Sequence, residues 1–165
     1  MVLAKTRMML AIVATLATSC AAAEDKSYSN DRFGFAFDYP ASWSLIEKPR
    51  SQSGEAMLSV KLLSPDENVP VRRDYSPGSV SIEVFANPSR RPLRAWLDEH
   101  GWPFEAAGRS VTPTSIGGLP ALEVATGKMF APNRFTYVAS KDWVLRLSAL
   151  APDANTVVES IRFNP

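Results

Sequence analysis

Apolar residues recur at every second position in several short runs of this chain, and that period confines them to strands with one buried face. In Leu58-Ser59-Val60-Lys61-Leu62 and Val80-Ser81-Ile82-Glu83-Val84 the aliphatic side chains share one side and the polar ones the other. Phe33, Phe35, Phe37 and Tyr39 repeat the pattern with aromatics until Pro40 breaks it. Trp43 opens a further strand through about Ile46, and a polar loop follows from Glu47 to Glu55. A sheet buried on both faces would read as continuous apolar runs, so the alternation predicts antiparallel strands packed on one side and wetter on the other.

The period changes in mid-chain. Pro92 suits the first turn of a helix, and Leu93, Trp96, Leu97 and His100 fall at i, i+3, i+4 and i+7, with Gly101 as the stop. Strands resume over Ser110–Ile116, turn at Gly117-Gly118, and return through Pro120–Thr126; two adjacent glycines tolerate the positive φ of a tight hairpin. Phe135–Ala139 and Trp143–Leu150 form a last hairpin across Ser140-Lys141-Asp142. Ala154, Val157, Val158 and Ile161 then keep helical spacing after Asp153, a residue suited to cap a helix. Roughly seven strands, a mid-chain helix and a C-terminal helix predict a single α+β domain whose mostly antiparallel sheet carries helices.

Ahead of this domain, Lys5 and Arg7 precede the apolar stretch Met8–Ala17. As a helix, ten such residues reach about 15 Å, half of the ~30 Å of hydrocarbon, so the stretch reads as the core of a secretory signal and not as a permanent span. Leu16-Ala17-Thr18-Ser19-Cys20 resembles a lipobox, with Ala17 standing where leucine is usual. Cleavage there makes residues 1–19 the signal, Cys20 a lipidated N-terminus and 20–26 a tether to a domain over 27–165. Ala21-Ala22-Ala23 offers the rival cleavage after Ala23, and an uncleaved chain with an ordinary cysteine is the third reading. With lipid on Cys20, Ala21 resembles the outer-membrane sorting class of lipoprotein; without it, the protein is soluble in the periplasm or secreted.

Charge excludes one class of partner. The whole chain carries 18 basic and 17 acidic residues, and removal of Lys5 and Arg7 leaves 16 against 17, formally −1. Nucleic acid requires a concentrated basic footprint, which this balance does not supply. A single cysteine rules out an internal disulfide.

Equipment for chemistry is sparse. His100 is the sole histidine, and its place at the end of a helix suits a cation meeting the helix C-terminus better than a catalytic triad. With one histidine and a cysteine directed to lipid, no metal site and no cofactor are expected. The pairs Asp66-Glu67 and Asp98-Glu99 read as solvated acids, on a loop and on the polar side of the helix. The most suggestive segment is the long loop Ser64–Gly78, where Arg72, Arg73, Asp74 and Tyr75 form a candidate partner-binding run, since arginine and tyrosine anchor interfaces. Trp43, Trp96 and Trp143 lie on apolar stripes and read as core; Trp102, leaving the helix, is a candidate pocket residue.

The order of these features resembles the PsbP-like family. The resemblance rests on Gly34-Phe35-Ala36-Phe37-Asp38-Tyr39-Pro40 followed by Trp43, on Ile116-Gly117-Gly118-Leu119-Pro120-Ala121, on the Tyr137–Leu147 hairpin and on Ser160-Ile161-Arg162-Phe163. It implies a three-layer α/β/α sandwich around a mostly antiparallel central sheet of about six to seven strands. The superfamily includes the photosystem II extrinsic protein, the Ran-release factor and bacterial envelope lipoproteins of the DcrB and DUF1795 type, which share a shape and not a reaction. The metal sites of photosynthetic members have no counterpart among these residues. The expectation is an exported, lipid-anchored, non-catalytic binding or accessory protein with an envelope protein as partner. A small-ligand carrier with an apolar pocket is the alternative, and a carboxylate-dependent hydrolase the more remote one.

Overall fold

The alternating runs do become strands, and the computed structural model describes them within residues 24–49, 56–65, 79–100, 110–125, 134–150 and 154–164. In chain order they are β1 (Lys26–Asn30), β2 (Phe35–Tyr39), β3 (Ser44–Lys48), β4 (Leu58–Leu63), β5 (Val80–Ala86), α1 (Leu93–His100), β6 (Ser110–Ile116), β7 (Leu119–Ala125), β8 (Arg134–Ser140), β9 (Trp143–Ala149), α2 (Ala154–Glu159) and β10 (Arg162–Phe163). A 7-stranded sheet runs β3-β4-β5-β9-β8-β7-β6, and a separate 3-stranded sheet runs β1-β2-β10. All of these pairings are antiparallel. Pro113 lies in β6, an edge strand, where a missing N–H costs no ladder bond.

The large sheet buries both faces, and β9 shows how. Trp143, Leu145 and Leu147 point into one cluster with Val60, Ile82 and Val84, while Val144 joins a second cluster with Phe85, Tyr137 and Val124. The first cluster is covered by β2, which contributes the fully buried Phe35 and Phe37, and by α2, which touches both β2 and β9. On the opposite face α1 supplies Trp96 and Leu97 to the second cluster. Three layers therefore exist as expected, but one outer layer is mixed, a small sheet beside a helix.

The small sheet was not anticipated. In β1, Lys-Ser-Tyr-Ser-Asn offers only Tyr28 to the core, so no apolar alternation marks it. The last helical segment also ends sooner than its spacing predicts. Instead of continuing through Ile161, α2 stops at Glu159, because Ser160 is held by β2: its Oγ accepts the Asp38 N–H at 2.8 Å and lies 2.8 Å from the Val157 carbonyl, to which its O–H donates. The chain then extends as β10, pairing Arg162 with Ala36 and Phe163 with Phe35.

Candidate functional site

One cleft is built by the junction of α1 with the large sheet. The descent from β5 into α1 is fixed by Asn87, which is only 3% exposed. Its side-chain oxygen accepts the Arg91 N–H at 3.0 Å and its amide donates to the Arg91 carbonyl at 3.1 Å, while its own N–H donates to the Asp142 carbonyl at 2.7 Å. A buried amide satisfied in this way sets a loop firmly, since each bond would otherwise leave an unpaired group in the interior. Trp96, one turn into α1, donates its indole N–H to the Ala86 carbonyl at 3.0 Å and meets the Phe85 ring at 5.7 Å. His100 follows one turn later, stacked on Trp96 at 4.3 Å and 9°. Its Nδ1 sits 3.0 Å from the Trp96 carbonyl, the geometry of an N–H donating to a helix-end acceptor.

The sheet supplies the other wall. Register places Glu83 of β5 opposite Arg146 of β9, and Arg146 opposite Tyr137 of β8. Arg146 Nε donates to Glu83 Oε2 at 2.9 Å, and Nη2 bonds to the same oxygen. The guanidinium lies over the Phe85 ring at 5.1 Å and the Phe135 ring at 5.5 Å. Burial works against its charge, but Glu83 and Tyr137 outweigh that effect and hold it above its ordinary value, so Arg146 stays a cation. Burial also pushes the Tyr137 phenol up, although Arg146 opposes the shift, and keeps it neutral. The resulting cleft encloses about 460 Å³, floored by Phe85, Trp96 and Tyr137 and rimmed by Glu99, His100 and Arg146. That volume lies in the range of small-molecule sites. A second recess of about 360 Å³ faces the other way, between α2 and the strands β6 to β9, with Thr114, Arg134 and Asn155 in its lining. Its one ion pair, Arg134 to Glu123 at 3.7 Å, is exposed and contributes little rigidity.

Several sequence-stated candidates lie outside the described residues: Cys20, the run Arg72, Arg73, Asp74 and Tyr75, the pair Asp66-Glu67, and Trp102. Asp98 and Glu99 are exposed as expected, and Glu99 pairs with Arg91 at 3.0 Å. Trp43 and Trp143 are core residues, as their stripes predict. Trp96 is buried too, yet it also walls the cleft. His100 occupies the helix end foreseen for it, and the cleft rim as well. Sequence reasoning passed over Arg146, Tyr137, Phe85 and Glu83. Their one available signal was a charge in the midst of the apolar run Trp143–Leu147, on the face opposite Trp143, Leu145 and Leu147.

Among the described residues, no group of three or more histidine, cysteine, aspartate or glutamate side chains is arranged to hold a metal ion. No described helix is long and apolar enough to cross a membrane. No family model matches the chain, and no curated protein matches it. Among solved structures, it is similar to cyanobacterial PsbP (CyanoP) from Synechocystis sp. PCC 6803, determined in solution, at 13% identity and a TM-score of 0.46, over 88% of this chain and 95% of that one.

Proposed function

We propose that this chain is an exported, lipid-anchored, non-catalytic binding module of the cell envelope, and that it binds through the cleft between α1 and the large sheet. The observation that carries the reading is the state of the cleft's polar groups. They are engaged with one another: Arg146 with Glu83, Glu99 with Arg91, and the Nδ1 of His100 with a backbone carbonyl. A catalytic site needs a nucleophile and a base oriented toward a shared reacting atom. Here the charges are fixed by neighbours and the floor is aromatic, an arrangement that recognises without reacting. Export rests on the brevity of the Met8–Ala17 stretch and anchoring on the cysteine that follows it.

Two measurements test the halves separately. Mass spectrometry of the mature protein should find an acylated N-terminus at Cys20; a chain beginning at Met1 in the cytosol would overturn export. A photoreactive amino acid in place of Glu99, on the cleft rim, should give a discrete adduct in intact cells. His100→Ala, which removes an exposed side chain from the cleft rim, should weaken that adduct, and a rim that captures nothing would end the binding reading.

A further inference from the structure

We infer that the second recess, between α2 and the strands β6 to β9, holds a neutral sugar; this goes beyond the reading of the cleft and does not depend on it. One face of the large sheet changes character at this point. Ile116, Ala121 and Val138 belong to or pack against the core. Two residues along the same face of each strand stand Thr114, Glu123 and Thr136, and Arg134 lies two beyond Thr136. Register sets Thr114 beside Ala121, and Glu123 opposite Thr136. Across from them α2 presents Asn155 and Val158. Five polar side chains from four elements therefore surround one space of about 360 Å³, a volume within the range of small-molecule sites.

The ligand class follows from what these groups leave open. Among the described residues, none of the five makes a side-chain hydrogen bond. Glu123 and Arg134 attract each other at 3.7 Å, longer than a hydrogen bond, so carboxylate oxygens and guanidinium N–H groups both keep their bonding capacity. Two hydroxyls and an amide add donors and acceptors together. The paired charges cancel, so a charged ligand would leave water without a net counter-charge to meet it. No aromatic ring is among the described residues of the lining, which removes the stacking that a flat ring would need. An apolar ligand would strip water from five polar groups and return no bonds. Leu147, Ala149 and Val158 supply an aliphatic floor. A sugar ring answers each condition: it is uncharged, its hydroxyls both donate and accept, and its C–H face suits aliphatic side chains.

The isotope-labelled full chain is titrated with glucose, N-acetylglucosamine and maltose, with glucuronate and glucosamine as charged analogues and cyclohexanol as the ring with one hydroxyl. Backbone amide shifts are followed by NMR. At least one neutral sugar should give saturable shifts at Thr114, Thr136 and Asn155, with an affinity about tenfold or more above that of cyclohexanol, the gain expected from several hydrogen bonds. Thr136→Val and Asn155→Ala, which delete a hydroxyl and an amide, should each weaken binding about threefold to tenfold at an unchanged melting temperature. Glucuronate or glucosamine binding more tightly than the neutral sugars would overturn the uncharged class. Cyclohexanol binding equally would overturn recognition through hydroxyls. Saturable shifts at Phe85, Trp96 and Tyr137 instead, or binding untouched by both variants, would overturn the recess as the site. No saturation by any neutral sugar would overturn the inference, while capture from the Glu99 position would still decide the cleft.

Discussion

Two titratable side chains report the attachment of the small sheet. The Tyr28 hydroxyl donates to Glu47 Oε2 at 2.9 Å, and its ring stacks on Phe37 at 5.0 Å, bridging β1 to β3 and to the core. Burial first, with Glu47 adding to it and Asn30 opposing, pushes its phenol up to about 12. A raised acid pKa favours the neutral form in the folded state. The stability it contributes is fully present below the ordinary value of 10.0 and is lost as pH rises from there through about 12. Phenolate absorbance should therefore develop together with loss of fold at high pH, and Tyr28→Phe should remove that alkaline step. Asp38 behaves oppositely. Arg162 grips both its oxygens, at 2.8 and 3.1 Å, and together with Ser27 holds the carboxyl below its usual range. Its contribution exists above the ordinary carboxylate pKa and disappears as pH falls through the lowered value, so Asp38→Asn should flatten the acid limb of a stability–pH curve. The paired glycines separate two costs. Gly117 has φ +55, and a Cβ there would meet the Ile161 carbonyl at 2.7 Å, whereas Gly118 has φ +80 and open space. Gly118→Ala should cost about 1–2 kcal/mol, the strain of the left-handed backbone alone. Gly117→Ala should cost more, by chemical denaturation, because backbone must also shift.

Among the elements, α1 was the most legible. Its stripe and its proline are in the sequence, and the helix runs Leu93–His100 with Trp96 and Leu97 buried, as the spacing requires. What the stripe could not convey is how the helix is hung. The suspension depends on Asn87, a polar residue in a turn, and on the Trp96 indole reaching back to Ala86. Asn87→Ala should destabilise the protein by about 1–3 kcal/mol, since two backbone groups of Arg91 lose their partner. It should also change Trp96 fluorescence and weaken any ligand of the cleft, a combination that simple core loosening elsewhere would not give. Strand β9 was legible as a strand, but the charge within its apolar run was passed over. Arg146 lies on the face opposite Trp143, Leu145 and Leu147, and only the pairing of β9 with β5, across 63 residues, brings Glu83 to it.

For the molecule as a whole, the mixed outer layer is the feature on which the core depends. Phe35 and Phe37 are fully buried, and Tyr28 of β1 and Phe163 of β10 pack beside them. A chain starting at Glu24 retains every described strand and should melt as the full chain does. One starting at Asp31 loses β1 and should melt at a markedly lower temperature by circular dichroism, because fully burying each large aromatic contributes about 1.5–3 kcal/mol and one cover would be gone. Strand positions, the mid-chain helix, the antiparallel habit and the hairpins followed from local patterns, since period and turn chemistry act over a few residues. The partnership of β1 with β2 and β10, the early end of α2 and the assembly of Phe85, Trp96, His100, Tyr137 and Arg146 into one cleft are different in kind. They arise from contacts between segments distant in the chain, and the free energy that fixes them exists only once the layers have closed on each other.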